Sequence, residues 1–514
     1  MNLKVKSSGY SGIDNYLVDV ELDIGNGIPS FYIIGLGDTS VSESRERVRI
    51  ALKNLDITLS QKKILVNLSP AFKKKEGSHY DLAIAAGVLI GLEKIRDNEN
   101  ILENYIFLGE LSLNGKVKGV KGGIGAAILA KELGYKGVIL PYDNVEEASL
   151  IPGVEVLGIE SVGELLELFE SYTEYKNKSI IKVNEILLNK KKNFYSKKLD
   201  IDFSDVKGQK LAKRALEIAV AGGHNILMIG SPGSGKSMLA KRVESIMPDI
   251  GIEETIECTK IYSIAGELNE ENPFIKASPF RMPHHTGTIA SVIGGGKVIK
   301  PGEVTLAHNG VLFLDELSEF SKEVLEGLRQ PLEDKKVYIS RMGYKIELPA
   351  NFMLISSSNP CNCGMLYEGA SKCKCTASEI NRYQRKLSGP ILDRIDLVVE
   401  IKKISEEDLL NKTDEESSKL IKKRIEDVRK IQKNRFAHSK TKLNSEMNLK
   451  EIEKYCKLDN REEIFVKTVI NTFELTARGF HKLLKVARTI ADLENREKIE
   501  KKHILEAINF RRKK

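Results

Sequence analysis

The stretch ILMIGSPGSGKSMLAKR, Ile226 to Arg242, decides the reading of this chain. Ile226 to Ile229 form a buried-type strand, Gly230 to Ser237 fit G-x-x-x-x-G-K-[ST] at every fixed position, and Met238 to Ser245 have helical composition. In such a strand–loop–helix unit, glycines let backbone N–H groups turn inward around phosphate oxygens, and the helix N-terminus adds partial positive charge. Gly230, Ser231, Pro232, Gly233, Ser234, Gly235, Lys236, Ser237 and Met238 are therefore expected to hold nucleotide phosphates. Lys236 should reach the β- and γ-phosphates, and the Ser237 hydroxyl should ligate Mg2+. A chance match in a glycine-rich turn would not need both flanks to be right.

Working outward, Val311 to Glu316 read V-L-F-L-D-E. Four apolar residues bury the strand and bring two carboxylates out at its C-terminal end, where ligands sit in parallel sheets. Asp315 is expected to hold the water shell of the metal, and Glu316 to polarise the attacking water. A third apolar run, Phe352 to Ile355, ends in S-S-S-N-P. Asn359 could hydrogen-bond the γ-phosphate or the water from a neighbouring strand, although Asn-Pro alone reads as a turn. Apolar strands separated by helices, including one from Gln209 to Ala221 stopped by Gly222-Gly223, predict an α/β domain with a parallel sheet and helices on both faces.

The whole chain has 514 residues, too many for one ordinary core. Its first ~170 residues, a domain of ordinary size, read as mixed strands and helices. A polar, lysine-rich stretch from 171 to 200, with Lys190, Lys191, Lys192, Lys197 and Lys198, reads as a solvated basic linker. The last part is helical and charged, with Phe480, Leu483, Leu484, Ala487, Ile490 and Ala491 on one stripe and Lys482, Lys485 and Arg488 off it. Hydrophobic residues make up 41% and charged residues 30%, a globular mixture. No apolar run approaches the ~20 residues needed to cross a bilayer. The N-terminus lacks an apolar signal segment, so a cytoplasmic location and no membrane partner are expected. A net charge of +8 permits a nucleic-acid partner without establishing one.

Four of the six cysteines crowd together as Cys361-x-Cys363 and Cys373-x-Cys375, the pairs separated by nine residues. Four soft ligands at this density suit tetrahedral Zn2+, whereas the one-residue gaps depart from the common C-x2-C pairing. Structural zinc and buried reduced thiols both remain open.

The tracts PFRMPHHTGT (279–288), GGGKVIKPGEVTLAHNGVLFLDEL (294–317), SSNPCNCG (357–364) and LSGPILDRIDL (387–397) resemble the magnesium-chelatase-like AAA+ ATPases, in the branch of the YifB and ComM proteins. The resemblance covers nearly the whole chain. It implies a homo-hexameric ATPase using ATP and Mg2+, and a DNA helicase or translocase that promotes branch migration in recombination or natural transformation. It also implies a division into a non-proteolytic Lon-protease-like α+β domain (1–170), a basic linker (171–200), an AAA+ core with a helix-2 insert and a Cys-rich insertion (201–402), and a helical lid (403–514).

Residue by residue, the likeness implies that Asn359 is sensor 1, that Arg394 in D-R-I-D is the arginine finger reaching a neighbouring subunit's ATP, and that Arg478 in T-A-R-G-F-H is the sensor 2 arginine. Val206, Gly208 and Gln209 fall where the family cradles adenine. The phosphate loop, Gly230 to Ser237, holds no arginine of its own, so one supplied in trans makes physical sense. Two hairpins that face the ring channel in this clade would present His284, His285, Lys297, Lys300, Arg341 and Lys345 to single-stranded or branched DNA. The two histidines could instead ligate a metal, although no third ligand lies nearby in sequence.

Aligning the first domain with the Lon protease fold puts His79 where the nucleophile belongs and Ile124 where the catalytic lysine belongs, with Ser78 and Lys121 out of register. A Ser–Lys dyad needs hydrogen-bond reach, so a non-proteolytic module is expected. An ATP-driven motor that remodels a protein partner, related to the magnesium chelatase ATPase subunit, is the competing function. The Lon-like domain counts mildly against it, because that subunit lacks one.

Overall fold

The computed structural model describes all residues except 1, 60, 192–199, 297–298, 342–343, 370–371, 387–388, 404–414 and 512–514. The chain forms two compact units, one of Met1–Ser196 with Gly251–Lys276, the other of Lys197–Ile250 with Ala277–Lys514. The chain leaves the second unit after Ile250 and returns to it at Ala277.

The first unit is built on a seven-stranded mixed sheet, ordered Ser30–Ile34, Lys62–Ser69, Asp14–Asn26, Asn2–Ser11, Tyr105–Phe107, Gly137–Pro141, Glu155–Ile159. Helix Asp81–Gly91 is apolar all round and almost wholly buried against the sheet. Helix Gly123–Leu133 carries the borrowed segment: Gly122 N–H at its start donates to Ser263 Oγ at 2.9 Å, from helix Ile252–Ala265. Beneath that junction Glu147 is buried, and desolvation pushes its carboxyl up to about 7.

The stretch expected to be a linker is largely helix, Tyr172–Lys191. Its amphipathic face explains the difference: Tyr175 and Val183 are buried, and Tyr175 Oη donates to the Gly158 carbonyl at 2.8 Å. Lys192, Lys197 and Lys198 lie outside the described residues.

The second unit holds a five-stranded, all-parallel sheet ordered Phe280–Arg281, Val311–Leu314, Met353–Ser358, Ile226–Gly230, Leu397–Ile401. The phosphate-loop strand is thus interior, between the S-S-S strand and the edge strand Leu397–Ile401. Every residue of Val311–Leu314 and Ile226–Gly230 is buried, as their unbroken apolar runs require.

The C-terminal helices share this core. Leu483, Leu484, Ala487, Ile490 and Ala491 are buried and Phe480 packs against them. Burial of each large aliphatic side chain contributes about 1.5–3 kcal/mol. Off-stripe Arg488 is also buried, because it pairs with Asp492 and donates to the Glu497 carbonyl at 2.6 Å. Lys482 likewise turns inward to Asp396 at 3.2 Å. The lid is therefore continuous with the sheet domain: Val398 N–H, on the edge strand, donates to the Phe510 carbonyl at 2.7 Å.

Candidate nucleotide site and its distant arginines

Gly230 ends its strand, and helix Lys236–Arg242 begins where the motif requires. Gly233 and Gly235 have φ of +75° and +91°, values that glycine adopts without strain, and nothing lies within 4 Å of a Cβ built on either. Neither position is crowded, so a phosphate chain can approach the loop backbone closely there. Lys236 is mostly buried, and its Nζ donates to the carbonyls of Gly230 at 2.7 Å and Ser231 at 3.0 Å and to Asn359 Oδ1 at 3.3 Å. Burial lowers its pKa, opposed by the nearby charges of Asp315 and Glu316.

The neighbouring strand ends complete the cluster. Ser237 Oγ donates to Asp315 Oδ2 at 2.6 Å, and Ser357 Oγ donates to the other oxygen of the same carboxylate. Ser357 also accepts from Glu316 N–H at 3.1 Å. Glu316 is exposed and has φ of +54°, a left-handed conformation that costs a non-glycine residue about 1 kcal/mol or more. Ser357 holds that turn in place. Sequence reasoning did not single out Ser357, because its role depends on its strand lying between the phosphate-loop and Asp-Glu strands. A hydroxyl beside a carboxylate, next to a lysine and an open phosphate loop, suits Mg2+ bound with its own waters.

Val206 is buried, while Gly208 and Gln209 sit at the start of helix Lys210–Gly222. Gly208 N–H donates to Glu415 at 2.7 Å, and Lys213 Nζ joins the same carboxylate to the Val206 carbonyl, at 2.7 and 2.6 Å. Glu415 and Lys213 brace this corner, and neither stood out in the sequence. Met238 is exposed just beyond the loop.

Arg394 and Arg478 are not in this cluster. Arg394 Nη2 and Arg478 Nη2 each lie 2.6 Å from Glu333 Oε1. The Arg394 carbonyl accepts from Asn225 Nδ2 at 3.0 Å, and Asn225 immediately precedes the phosphate-loop strand. The strand's five residues, at about 3.3 Å each, separate Arg394 from the phosphate loop by roughly 16 Å. The arginines line a cavity of about 700 Å3 with Glu333, Asp396, Lys482 and Lys485. The two guanidiniums, Arg394 foremost, hold the Glu333 carboxyl below its ordinary range.

The hairpin residues are brought together in part. Strands Lys336–Arg341 and Tyr344–Pro349 pair antiparallel, as do Gly294–Gly295 and Lys300–Pro301. The hairpins touch, since a Cβ at Gly294 would lie 3.4 Å from Ile339 Cδ1. Lys300 and Lys345 are exposed on them. His284 and His285 stack with ring centroids 4.2 Å apart, and His284 Nδ1 lies 2.8 Å from Thr286 Oγ1. Lys297 and the side chain of Arg341 lie outside the described residues.

The cysteines do converge. Ligand atoms of Cys361, Cys363, Cys373 and Cys375 all lie within 4.8 Å of one another. The one-residue gaps are therefore compatible with a single cluster.

In the first unit, Ser78 Oγ donates to Glu110, whereas Lys121 Nζ donates to the Ala265 carbonyl at 3.3 Å. Buried His79 has its pKa lowered to about 4 by desolvation.

An interior phosphate-loop strand, an acidic pair two strands away and a polar residue on the strand between them define an AAA+ nucleotide-binding domain. The family described as "Magnesium chelatase, subunit ChlI" matches residues 202–409, "Subunit ChlI of Mg-chelatase" matches 20–144, and the corresponding C-terminal family matches 415–511. The chain is 39% identical over 509 residues to "Competence protein ComM" of Haemophilus influenzae, covering 99% of this chain and 97% of the relative. It is 38% identical over 502 residues to the uncharacterized protein YifB of Escherichia coli, covering 97% and 95%. Similarity to the magnesium-chelatase 67 kDa subunit of Chlorobaculum parvum is 27% over 164 residues, covering 31% of this chain and 23% of that one. The chain belongs to the ComM/YifB group of the magnesium-chelatase-like AAA+ family, whose membership implies use of ATP and Mg2+. Among the described residues no helix is long and apolar enough to cross a membrane.

Proposed function

We propose that this chain is the protomer of a cytoplasmic homo-hexameric motor that hydrolyses ATP to move along DNA, a helicase or translocase promoting branch migration in recombination or natural transformation. The observation that carries the reading is the separation of Arg394 and Arg478 from the phosphate loop of their own chain. Arg394, its backbone anchored roughly 16 Å away at the far end of a strand, and Arg478, paired to the same Glu333, suit the ATP of a second copy better than that of their own chain. A closed ring of such head-to-tail interfaces satisfies every copy alike.

In this reading Lys236 neutralises the β- and γ-phosphates, Ser237 and Asp315 hold Mg2+ with its waters, Asn359 positions the γ-phosphate, and Glu316 polarises the attacking water. The neighbour's Arg394 and Arg478 stabilise the charge on the transferred group. Val206, Gly208 and Gln209 take the adenine. The four thiols hold Zn2+. The first unit is a Lon-like module without peptidase chemistry, since Ser78 and Lys121 are each engaged elsewhere.

DNA is favoured as the track because adjoining hairpins expose Lys300 and Lys345, and because the near-complete match is to a competence protein. A protein-remodelling motor is the second reading, favoured by the chelatase family matches. ATP turnover measured with and without single-stranded and branched DNA separates them. Stimulation by DNA together with unwinding or branch migration is expected, and turnover indifferent to every DNA would favour the second reading.

A further inference from the structure

We propose that Zn2+ bound by Cys361, Cys363, Cys373 and Cys375 clamps the nucleotide site, so that metal loading sets the affinity for ATP. The proposal rests on the zinc reading above and adds a regulatory role to it.

The cluster has the dimensions of a mononuclear metal site. Zn–S bonds of about 2.3 Å in a tetrahedron place sulfurs about 3.8 Å apart. The Sγ separations are 3.5 Å for Cys361–Cys363, 3.8 Å for Cys361–Cys373 and 3.7 Å for Cys363–Cys373. A disulfide would need about 2.05 Å, and all four thiols are free.

The segment that bears the thiols has little else to fix its shape. Between Asn359 and helix Ala377–Lys386 the described residues contain a single short helical turn, Leu366–Glu368. Among them, Pro360 and Cys361 are the buried apolar side chains.

This segment touches the phosphate loop in two ways. Gly364, whose N–H closes a turn onto the Cys361 carbonyl at 2.9 Å, packs so tightly on Pro232 that an added Cβ would lie only 2.4 Å from the proline Cδ. Pro232 is an exposed residue of the phosphate loop. Two residues before Cys361, Asn359 accepts from Lys236 Nζ. A metal that fixes Cys361 and Cys363 thus fixes both the residue that abuts Pro232 and the residue that holds Lys236. Loss of the metal frees the phosphate loop to fluctuate, and each fluctuation must be suppressed again when ATP binds, which weakens affinity.

The test uses full-length protein purified without chelator. Zinc is measured by elemental analysis, and binding of a fluorescent ATP analogue is titrated in excess Mg2+. Zinc is then stripped with a zinc-selective chelator under reducing conditions, and later restored. About one zinc per chain is expected, with affinity falling about tenfold or more on stripping and recovering on reloading. Gly364→Ala supplies the second arm: it keeps all four thiols but adds a Cβ against Pro232 at a φ of +75°, and should weaken ATP binding at unchanged zinc content. Protein that carries no zinc and takes none up overturns the zinc reading itself. Zinc-loaded and stripped protein binding ATP equally well overturns the clamp while leaving the metal in place. If stripping unfolds the chain by circular dichroism, Gly364→Ala decides, and unchanged ATP affinity in that variant overturns the clamp.

Discussion

The two ends of the ATPase sheet are built on different principles. At the C-terminal ends of its strands, polar groups satisfy one another within the chain: Ser237 and Ser357 share Asp315, and Lys236 is held by its own loop and by Asn359. At the opposite end, two arginines converge on a single carboxylate, Glu333, which is 45% exposed at its side chain. A doubly paired, half-exposed carboxylate is a weak anchor, because solvent screens it. One end is preorganised to receive a ligand, and the other carries a buried guanidinium, Arg394, and a half-exposed one, Arg478, that share a single half-exposed carboxylate.

This contrast can be broken at either end. The largest effect is expected from Arg394→Ala, since a trans arginine accounts for about 10³-fold or more in turnover. The loss should be rescued in part by mixing with Lys236→Ala chains, because some interfaces then combine an intact loop with an intact arginine. Proven co-assembly without recovery of hydrolysis would place Arg394 outside the reaction. Glu316→Gln should retain ATP binding while turnover drops about 10²–10³-fold. Turnover near that of the parent would remove Glu316 from its assigned role.

Smaller effects sharpen the comparison. Neutralising Lys300 and Lys345 together should flatten the salt dependence of single-stranded DNA binding by about 1.4 in log–log slope, two phosphate contacts at about 0.7 each. An unaltered slope would move the DNA elsewhere, with the lysines around Lys191 the next place to look. Glu333→Gln should change stability of the isolated chain by only about 0–1 kcal/mol, because the carboxylate is half-exposed and glutamine keeps an amide oxygen for the two guanidiniums. A collapse in melting temperature would show that Glu333 anchors the arginines firmly, contrary to the difference drawn between the two ends.

The end that is complete within the chain was also the legible one. A phosphate loop is a local object: eight consecutive residues, with strand and helix at their flanks, specify Gly230 to Ser237. The Asp-Glu pair was readable because four apolar residues announce a buried strand. Ser357 was not, since its role depends on which strand lies between two others, and strand order is non-local. Arg488 reads as surface on a helical wheel, yet is buried because Asp492 and two backbone carbonyls meet it there. The stretch after 171 has the charge of a linker, but Tyr175 and Val183 give it a buried face that lysine content concealed. The thiol cluster was readable as a pattern, while its packing against Pro232 was not.

The excursion of the chain between Ile250 and Ala277 has a consequence for biosynthesis. The first unit includes helix Ile252–Ala265, which emerges from the ribosome well after residue 196. At bacterial-to-eukaryotic elongation rates of about 5–20 residues per second, the 80 residues from 196 to 276 add roughly 4–16 s before that unit has all its parts. During that interval the Gly122 amide and the groups around Glu147 lack the helix that covers them, and the nascent ATPase strand Ile226–Gly230 is already made. Neither unit can be produced by a single cut in the gene, and each must be finished while the other is still under construction.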